Sequence, residues 1–354
     1  MAGGVGSRFW PLSRQGRPKQ FLDILGTGRT LIQQTFDRFV SIVPLENFLV
    51  VTSVRYRDLV REQLPQLKDE QVLLEPLRRN TAPCVAYAVH KIKLRNPNAN
   101  LIVAPSDHLI IKEEEFIRQI TKGLDFIENN DALLTLGIKP SRPETGYGYI
   151  QVKDKIHYNH HDNLFKVKTF TEKPDLEMAK VFVESGEFFW NSGIFLWSLT
   201  SIMNAFDLYL HDISSLFLKG EKLYNTEDEV HFISKTYSEC QGISIDYGIL
   251  EKAKNVYVLT ADFGWSDLGT WGSLYENKQK DLQGNVINGE NVLTYETCNC
   301  IINITEEKVA VLHGLDGYII AESDDTLMIC RKEDEQQIKQ FVTDVRIQKG
   351  DSLV

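Results

Sequence analysis

Along most of the chain, short apolar runs bounded by turn residues alternate with longer stretches of helical periodicity. The runs "NFLVVTS" (47–53), "ANLIVAPSD" (99–107) and "ALLTLGI" (132–138) have the length and β-branched content of buried strands. Between them, "SVRYRDLVREQL" (53–64), "APCVAYAVHKIKL" (82–94) and "KEEEFIRQITKGLDFIE" (112–128) place apolar residues three and four apart, as one face of a helix requires. This βαβα rhythm predicts an α/β domain built on a largely parallel sheet. The texture changes after about residue 275. The stretch 284–332 is a series of short β-branched runs separated by Gly, Asn and Asp, and helical periodicity returns only at "EDEQQIKQFVTDV" (333–345). We read residues 1–280 as the α/β domain and 281–354 as a small β-rich domain ending in a helix. Its spacing is too irregular for a strict solenoid, although short coils of a β-helix fit it.

Composition narrows the class. The 354 residues, 42% hydrophobic and 25% charged, suit a folded globular chain with one large core and a smaller second unit. No apolar run approaches the roughly 18 residues of a membrane span, and the polar start has no secretory apolar segment, so a cytoplasmic protein with no membrane partner is expected. Five scattered cysteines form no disulfide framework. A net charge of −10 speaks against a nucleic-acid surface, which needs a basic footprint. Against that acidic background the opening carries Arg8, Arg14, Arg17 and Lys19 with no acid before Asp23. A local cationic patch on an acidic chain points to a small anionic ligand.

The patch follows a glycine-rich loop, "MAGGVGSRF". It is not a P-loop, since no Gly-Lys-Ser/Thr follows at the required spacing, and the dinucleotide fingerprint fails where Phe9 stands in place of the third glycine. What remains is Gly3, Gly4 and Gly6, whose amides can approach phosphate oxygens, then Arg8 and Lys19 as charged donors. The plain alternative is a glycine turn beside surface cations. Such a loop normally follows a buried strand, yet only Met1 and Ala2 precede it. The expectation is therefore a natural start several residues upstream, with Met1 an internal methionine.

Further candidates lie downstream. Asp107 ends a strand-like run and Asp267 sits in "ADFGWSDLGTWG", and two carboxylates beside phosphates suit Mg²⁺. Each also reads as a cap or turn residue. "RPETGYGYI" (142–150, with Gly146 and Tyr147), "TEKPD" (171–175, with Glu172 and Lys173) and "FFWNSGIFLW" (188–197, with Asn191) combine amides, an acid and aromatic walls in the way a sugar ring is held. A β-turn, a turn before proline and a core strand with one satisfied amide are their ordinary readings. Asn80 and Thr81 in "EPLRRNTAP" (75–83) start a helix and could also face a base or ribose. Cys298 and Cys300, expected on one face of a strand, lack two further ligands for zinc, and His157, His160 and His161 lie in a polar loop. No nucleophile triad is recognisable.

Taken together, these segments make the chain resemble the sugar nucleotidyltransferases, and within them the bacterial mannose-1-phosphate guanylyltransferases. The G-x-G-x-R-x-x-P signature stands at 4–11, with Pro18-Lys19 after it; "NTAP" (80–83), "PSDH" (105–108), "TGYGYI" (145–150), "EKP" (172–174), "WNSG" (190–193) and "WSDLGTW" (265–271) follow in order over nearly the whole chain. The resemblance implies a Rossmann-like domain with a mostly parallel mixed sheet and a β-helix-like tail, GTP and mannose 1-phosphate as substrates, Mg²⁺ as cofactor, and GDP-mannose and pyrophosphate as products. It assigns Gly3, Gly4, Gly6 and Ser7 to the nucleotide phosphates, Asn80 and Thr81 to the nucleoside, Arg8 to the departing pyrophosphate and Lys19 to charge on the reacting phosphates. Asp107 and Asp267 would hold the metal, while Gly146, Tyr147, Glu172 and Asn191 would hold the sugar and Lys173 its phosphate. Many relatives continue into a cupin domain with phosphomannose isomerase activity; this chain is too short for one, so the transferase alone is expected, with the tail a candidate homodimer surface. The rival readings are another sugar 1-phosphate or nucleotide, and a catalytically silent nucleotide-sugar sensor.

Overall fold

A computed structural model describes residues 1–4, 6–158 and 162–354, so His160 and His161 lie outside the described residues. By its contacts the chain divides into two compact units. The first comprises Met1–Gly3, Arg38–Pro105 and Ile110–Trp265; the second comprises Gly4–Asp37, Ser106–Leu109 and Ser266–Val354.

The first unit is built on a six-stranded mixed sheet. Its order is Asn100–Val103, Phe188–Ser198, Leu133–Ile138, Val256–Ala261, Leu164–Glu172, Gly148–Lys155. Four of these strands run in one direction and two, Phe188–Ser198 and Leu164–Glu172, run against them. Both faces are covered, which explains the continuous apolar runs. Leu133, Phe195 and Trp197 enter one core with the helix Thr81–Arg95 and the helices Leu199–Tyr209, His211–Leu218 and Glu229–Glu239. Their alternating neighbours Leu134, Ile194 and Leu196 enter the opposite core with Phe116, Ile120 and Ile127 of the helix Glu113–Glu128. The period of two thus delivers one residue to each core.

Val50–Ser53 and Val72–Glu75 form a separate parallel pair. Ala2 extends it: its amide donates to the Val51 carbonyl at 2.8 Å, and its own carbonyl accepts the Thr52 hydroxyl at 2.8 Å. The Met1 amino group donates to the Ala104 carbonyl at 2.8 Å. The residues before the glycine loop are thus bonded to the middle of one strand and to the residue that follows another.

In the second unit, Val286–Asn288, Ile301–Asn303 and Tyr318–Ser323 stack in parallel, with Thr326–Arg331 antiparallel at the edge, while Val292–Tyr295 and Ala310–His313 form a second parallel pair. These are successive coils of a short β-helix. Cys300, Ile302, Ile304 and Ile320 fill its interior, and Asn288 Nδ2 donates to Asn303 Oδ1 at 2.6 Å between rungs. Cys298 and Cys300 precede the strand rather than share its face: Cys298 bridges Asp316, and Cys300 is buried with its thiol on the Cys298 carbonyl. All five cysteines are free. The tail ends in the helix Ile338–Lys349, which packs on Phe9 through Ile338 and Val342. Among the described residues no helix is long and apolar enough to cross a membrane.

Candidate active site

In the second unit the cationic loop is folded around one lysine. Gly6 adopts φ 64°, ψ 37°, the left-handed conformation, and a Cβ there would lie 2.6 Å from the Lys19 Cβ. Only glycine fits both conditions. Ser7–Phe9 then makes one tight turn in which the Ser7 carbonyl accepts from the Trp10 amide, anchored by the fully buried Phe9. Pro18 starts the turn that carries Lys19 inward until its side chain is 5% exposed.

A buried ammonium must be fully partnered. Lys19 Nζ donates to the Asp267 carbonyl at 2.7 Å and the Leu268 carbonyl at 3.0 Å, and it pairs with Asp107 Oδ2 at 3.0 Å. Leu268 presents these carbonyls from a strained backbone at φ 44°. The Asp267 carboxylate accepts from the Gly269 amide at 2.8 Å, and a Cβ at 269 would collide with its other oxygen at 2.6 Å. Lys19, Asp107 and Asp267 are therefore brought together from segments nearly 250 residues apart in sequence. Burial pushes the Asp107 carboxyl up, but Lys19 and His108 outweigh it and hold the group below the usual carboxylate range.

Arg8 differs from its neighbours. Its Nε is buried with no hydrogen-bond partner among the described residues. Its charge, helped by burial, lowers the Lys339 ammonium on the packed C-terminal helix. Arg14 is not part of the free patch: its guanidinium bonds Asp325 at 2.7 Å, the Thr326 hydroxyl and the Ser323 carbonyl, tying the loop to the last hairpin. Gly4 keeps its surroundings open and offers its carbonyl to Gln20 Nε2 at 3.0 Å.

The first unit holds the other candidates. Gly3 lies beside Glu75, whose carboxyl burial raises to about 7 even though the Tyr237 hydroxyl donates to it at 3.0 Å. Asn80, at φ 66°, caps the next amide with its own Oδ1, and the Thr81 hydroxyl accepts from the Ile245 amide at 2.8 Å. The helix start is thereby locked to the segment before Asp246. Tyr147 is buried edge-on against Trp190 and Trp265 at 5.1 Å each, so its ring is a core element rather than an open wall. Gly146 is exposed, its amide on Glu144. Lys173, at φ 50°, donates its amide to the Tyr147 carbonyl and its ammonium to the half-buried Glu172.

Asn191 sits where the pairing of Leu133–Ile138 with Phe188–Ser198 slips, between Thr135 and Gly137. Its Oδ1 accepts the Thr135 hydroxyl at 2.8 Å and its Nδ2 donates to Asp246 Oδ1 at 2.9 Å. Burial and the Glu172 carboxylate push Asp246 up to about 7. Sequence reasoning passed over Asp246, Thr135 and Lys339. Asp246 heads an apolar helical turn and reads as a cap, and nothing local marks the other two.

The chemistry of the donor set bears on a metal. Among the described residues no group of three His, Cys, Asp or Glu is gathered. The hard oxygens of Asp107 and Asp267 fit Mg²⁺, which takes one or two carboxylates and completes its shell with substrate phosphates and water.

Comparison with known proteins bears on the whole arrangement. A model of the nucleotidyl transferase family matches residues 1–284, and one of the MannoseP isomerase/GMP-like beta-helix domain matches residues 290–345. Mannose-1-phosphate guanylyltransferase of Escherichia coli is 36% identical over 347 residues, 97% of this chain and 74% of that protein. Alginate biosynthesis protein AlgA of Pseudomonas aeruginosa is 35% identical over 351 residues, 98% of this chain and 72% of that protein. A crystal structure described as mannose-1-phosphate geranyltransferase from Thermus thermophilus matches with a TM-score of 0.87 at 29% identity, covering 98% of each chain. With its loop, its acidic segments and its β-helix all inside these matches, the chain belongs to the nucleotidyl transferase family of enzymes, in the group of the mannose-1-phosphate guanylyltransferases.

Proposed function

We propose that this enzyme transfers GMP from GTP to mannose 1-phosphate, giving GDP-mannose and pyrophosphate. The observation that carries the reading is the buried Lys19 holding Asp107 and the Asp267 segment together behind the glycine loop. A sugar-phosphate oxygen is ionised at neutral pH and attacks the α-phosphorus without a protein base. The new P–O bond forms as the bond to the β-phosphate oxygen breaks, and pyrophosphate leaves. Positioning and charge neutralisation then supply the catalysis, in keeping with the absence of a recognisable nucleophile motif.

In this reading Gly3, Gly4, Gly6 and Ser7 line the nucleotide phosphates, Asn80 and Thr81 face the nucleoside, and Arg8, with its unpaired Nε, takes the departing pyrophosphate. Asp107 and Asp267 would hold Mg²⁺, which when bound neutralises charge on the phosphate oxygens. Lys19 acts from behind: its protons go to protein acceptors and its charge keeps Asp107 ionised. Gly146, Glu172 and Asn191 take the sugar and Lys173 its phosphate. A cytoplasmic location and a homodimer through the tail complete the proposal.

The test is pyrophosphate release by the purified protein with Mg²⁺, each of four nucleoside triphosphates, and mannose 1-phosphate or glucose 1-phosphate. Release confined to GTP with mannose 1-phosphate is expected. Preference for another pair would replace the substrates, and silence of the folded protein would favour a sensor.

A further inference from the structure

An amide side chain has an acceptor end and a donor end, and a sugar hydroxyl meets the correct one only if the amide cannot turn over. Asn191 is held at both ends. Its Oδ1 accepts from the Thr135 hydroxyl at 2.8 Å and the Gly193 amide at 3.3 Å, and its Nδ2 donates to Asp246 Oδ1 at 2.9 Å. Turning the amide over would set its NH₂ against the Gly193 N–H, a pure donor at any pH, and, wherever Asp246 is ionised, its oxygen against a carboxylate that only accepts. The Gly193 amide and Asp246 enforce this arrangement, and the Thr135 hydroxyl, which also reaches the Ile194 carbonyl at 3.2 Å, completes the cage. Thr135 is fully buried at the slipped pairing, Gly193 stands at φ 69°, and Asp246 opens the turn Asp246–Leu250 behind the strand. That turn is itself fixed, because the Ile245 amide donates to the Thr81 hydroxyl. Three protein bonds leave one Nδ2 hydrogen for a ligand.

We propose that Asp246 is a positioning residue for the sugar 1-phosphate: with the Gly193 amide it locks Asn191 in one orientation, so that the remaining Nδ2–H meets a sugar hydroxyl. This rests on the assignment of Asn191 to the sugar made above. Asp246 acts through Asn191, and the test is built on that dependence.

Steady-state kinetics of Asn191→Ala, Asp246→Ala, the double variant and Asp246→Asn separate the possibilities. Asp246→Ala is expected to raise KM for mannose 1-phosphate about tenfold, the scale of one hydrogen bond in a polar site, with KM for GTP essentially unchanged. Asp246→Asn keeps an acceptor for Nδ2 and should recover most of the loss. The double variant should be no worse than Asn191→Ala alone, whereas multiplied effects would overturn the dependence. If Asn191→Ala leaves that KM unaltered, the sugar assignment itself fails and this inference goes with it. If Asn191→Ala raises it and Asp246→Ala does not, only the present inference fails. Should Asp246→Ala not fold, Asp246→Leu removes the acceptor while filling its space; a raised KM for mannose 1-phosphate then supports the proposal and an unchanged one overturns it.

Discussion

Two groups of carboxylates in this enzyme meet opposite fates. Asp107 and Asp267 share their surroundings with a buried lysine, and Asp107 is held ionised below the usual range despite burial. Glu172 and Asp246 lie beside the exposed Lys173, whose ammonium pairs with Glu172; burial and the Glu172 carboxylate raise Asp246 to about 7. The difference is charge compensation. A cation placed inside the protein keeps a carboxylate negative and suited to a metal ion, whereas Asp246, buried beside another carboxylate, is pushed toward its neutral form and acts as a hydrogen-bonding group. The first arrangement suits phosphates with a divalent ion, and the second suits a neutral ring of hydroxyls.

Of these carboxylates, Asp107 carries the largest expected effect. Asp107→Ala should cut turnover on the order of 10³-fold or more, the scale of losing a key electrostatic group, with circular dichroism unchanged. Near-normal Mg²⁺-dependent turnover would remove Asp107 from the proposed metal site. Lys19→Met tests the compensation itself. Leaving the Asp107 carboxylate without its buried partner should cost about 3 kcal/mol in denaturant unfolding. It should also move the acid limb of the pH–rate profile upward, and a profile that stays in place would contradict the role given to Lys19.

On the other side, Lys173→Ala should raise KM for mannose 1-phosphate about tenfold with a smaller change in kcat, as expected for a charged contact made before the transition state. The smallest effect concerns Asp246 and stability. Its folded pKa, about 7, lies above the ordinary aspartate value of 3.8. The folded state therefore binds more protons between those values, and the group's contribution declines as pH rises through that window. Asp246→Asn does not titrate. Its melting temperature should gain on the parent by a few degrees at pH 8, on the scale of about 1 kcal/mol, and should show no such gain near pH 4. Glu172, Lys173 and Asn191 face this group, and a gain that persists at pH 4 would assign the effect to altered hydrogen bonding with them rather than to titration.

Much of the frame was legible in the chain. "ALLTLGI" became Leu133–Ile138, with Leu133 and Leu134 buried in opposite cores, because strand alternation is a local property of the backbone. The irregular β-branched tail became coils of a β-helix, with Val286 beside Ile301 and Ile301 beside Ile319, because coils of unequal length can still stack their strands in parallel. The reversal of Phe188–Ser198 within the sheet was not legible: direction depends on which strands it separates, and no local residue encodes that. The opening patch shows the same limit. Four cations were visible, but which one would be buried, which paired with Asp325 and which left with an unpaired nitrogen was not.

By itself, then, the sequence determined the alternation of strands and helices, the change to short coils after residue 275, and the set of side chains from which a phosphate and sugar site could be made. Tertiary structure decided which of them meet. Lys19 reaches Asp107 and the Asp267 segment, and Asn191 is clasped between Thr135 and Asp246, through contacts spanning 55 to 248 residues. Propensity and periodicity act within a few residues of one another, whereas burial and charge compensation depend on whatever the fold brings alongside.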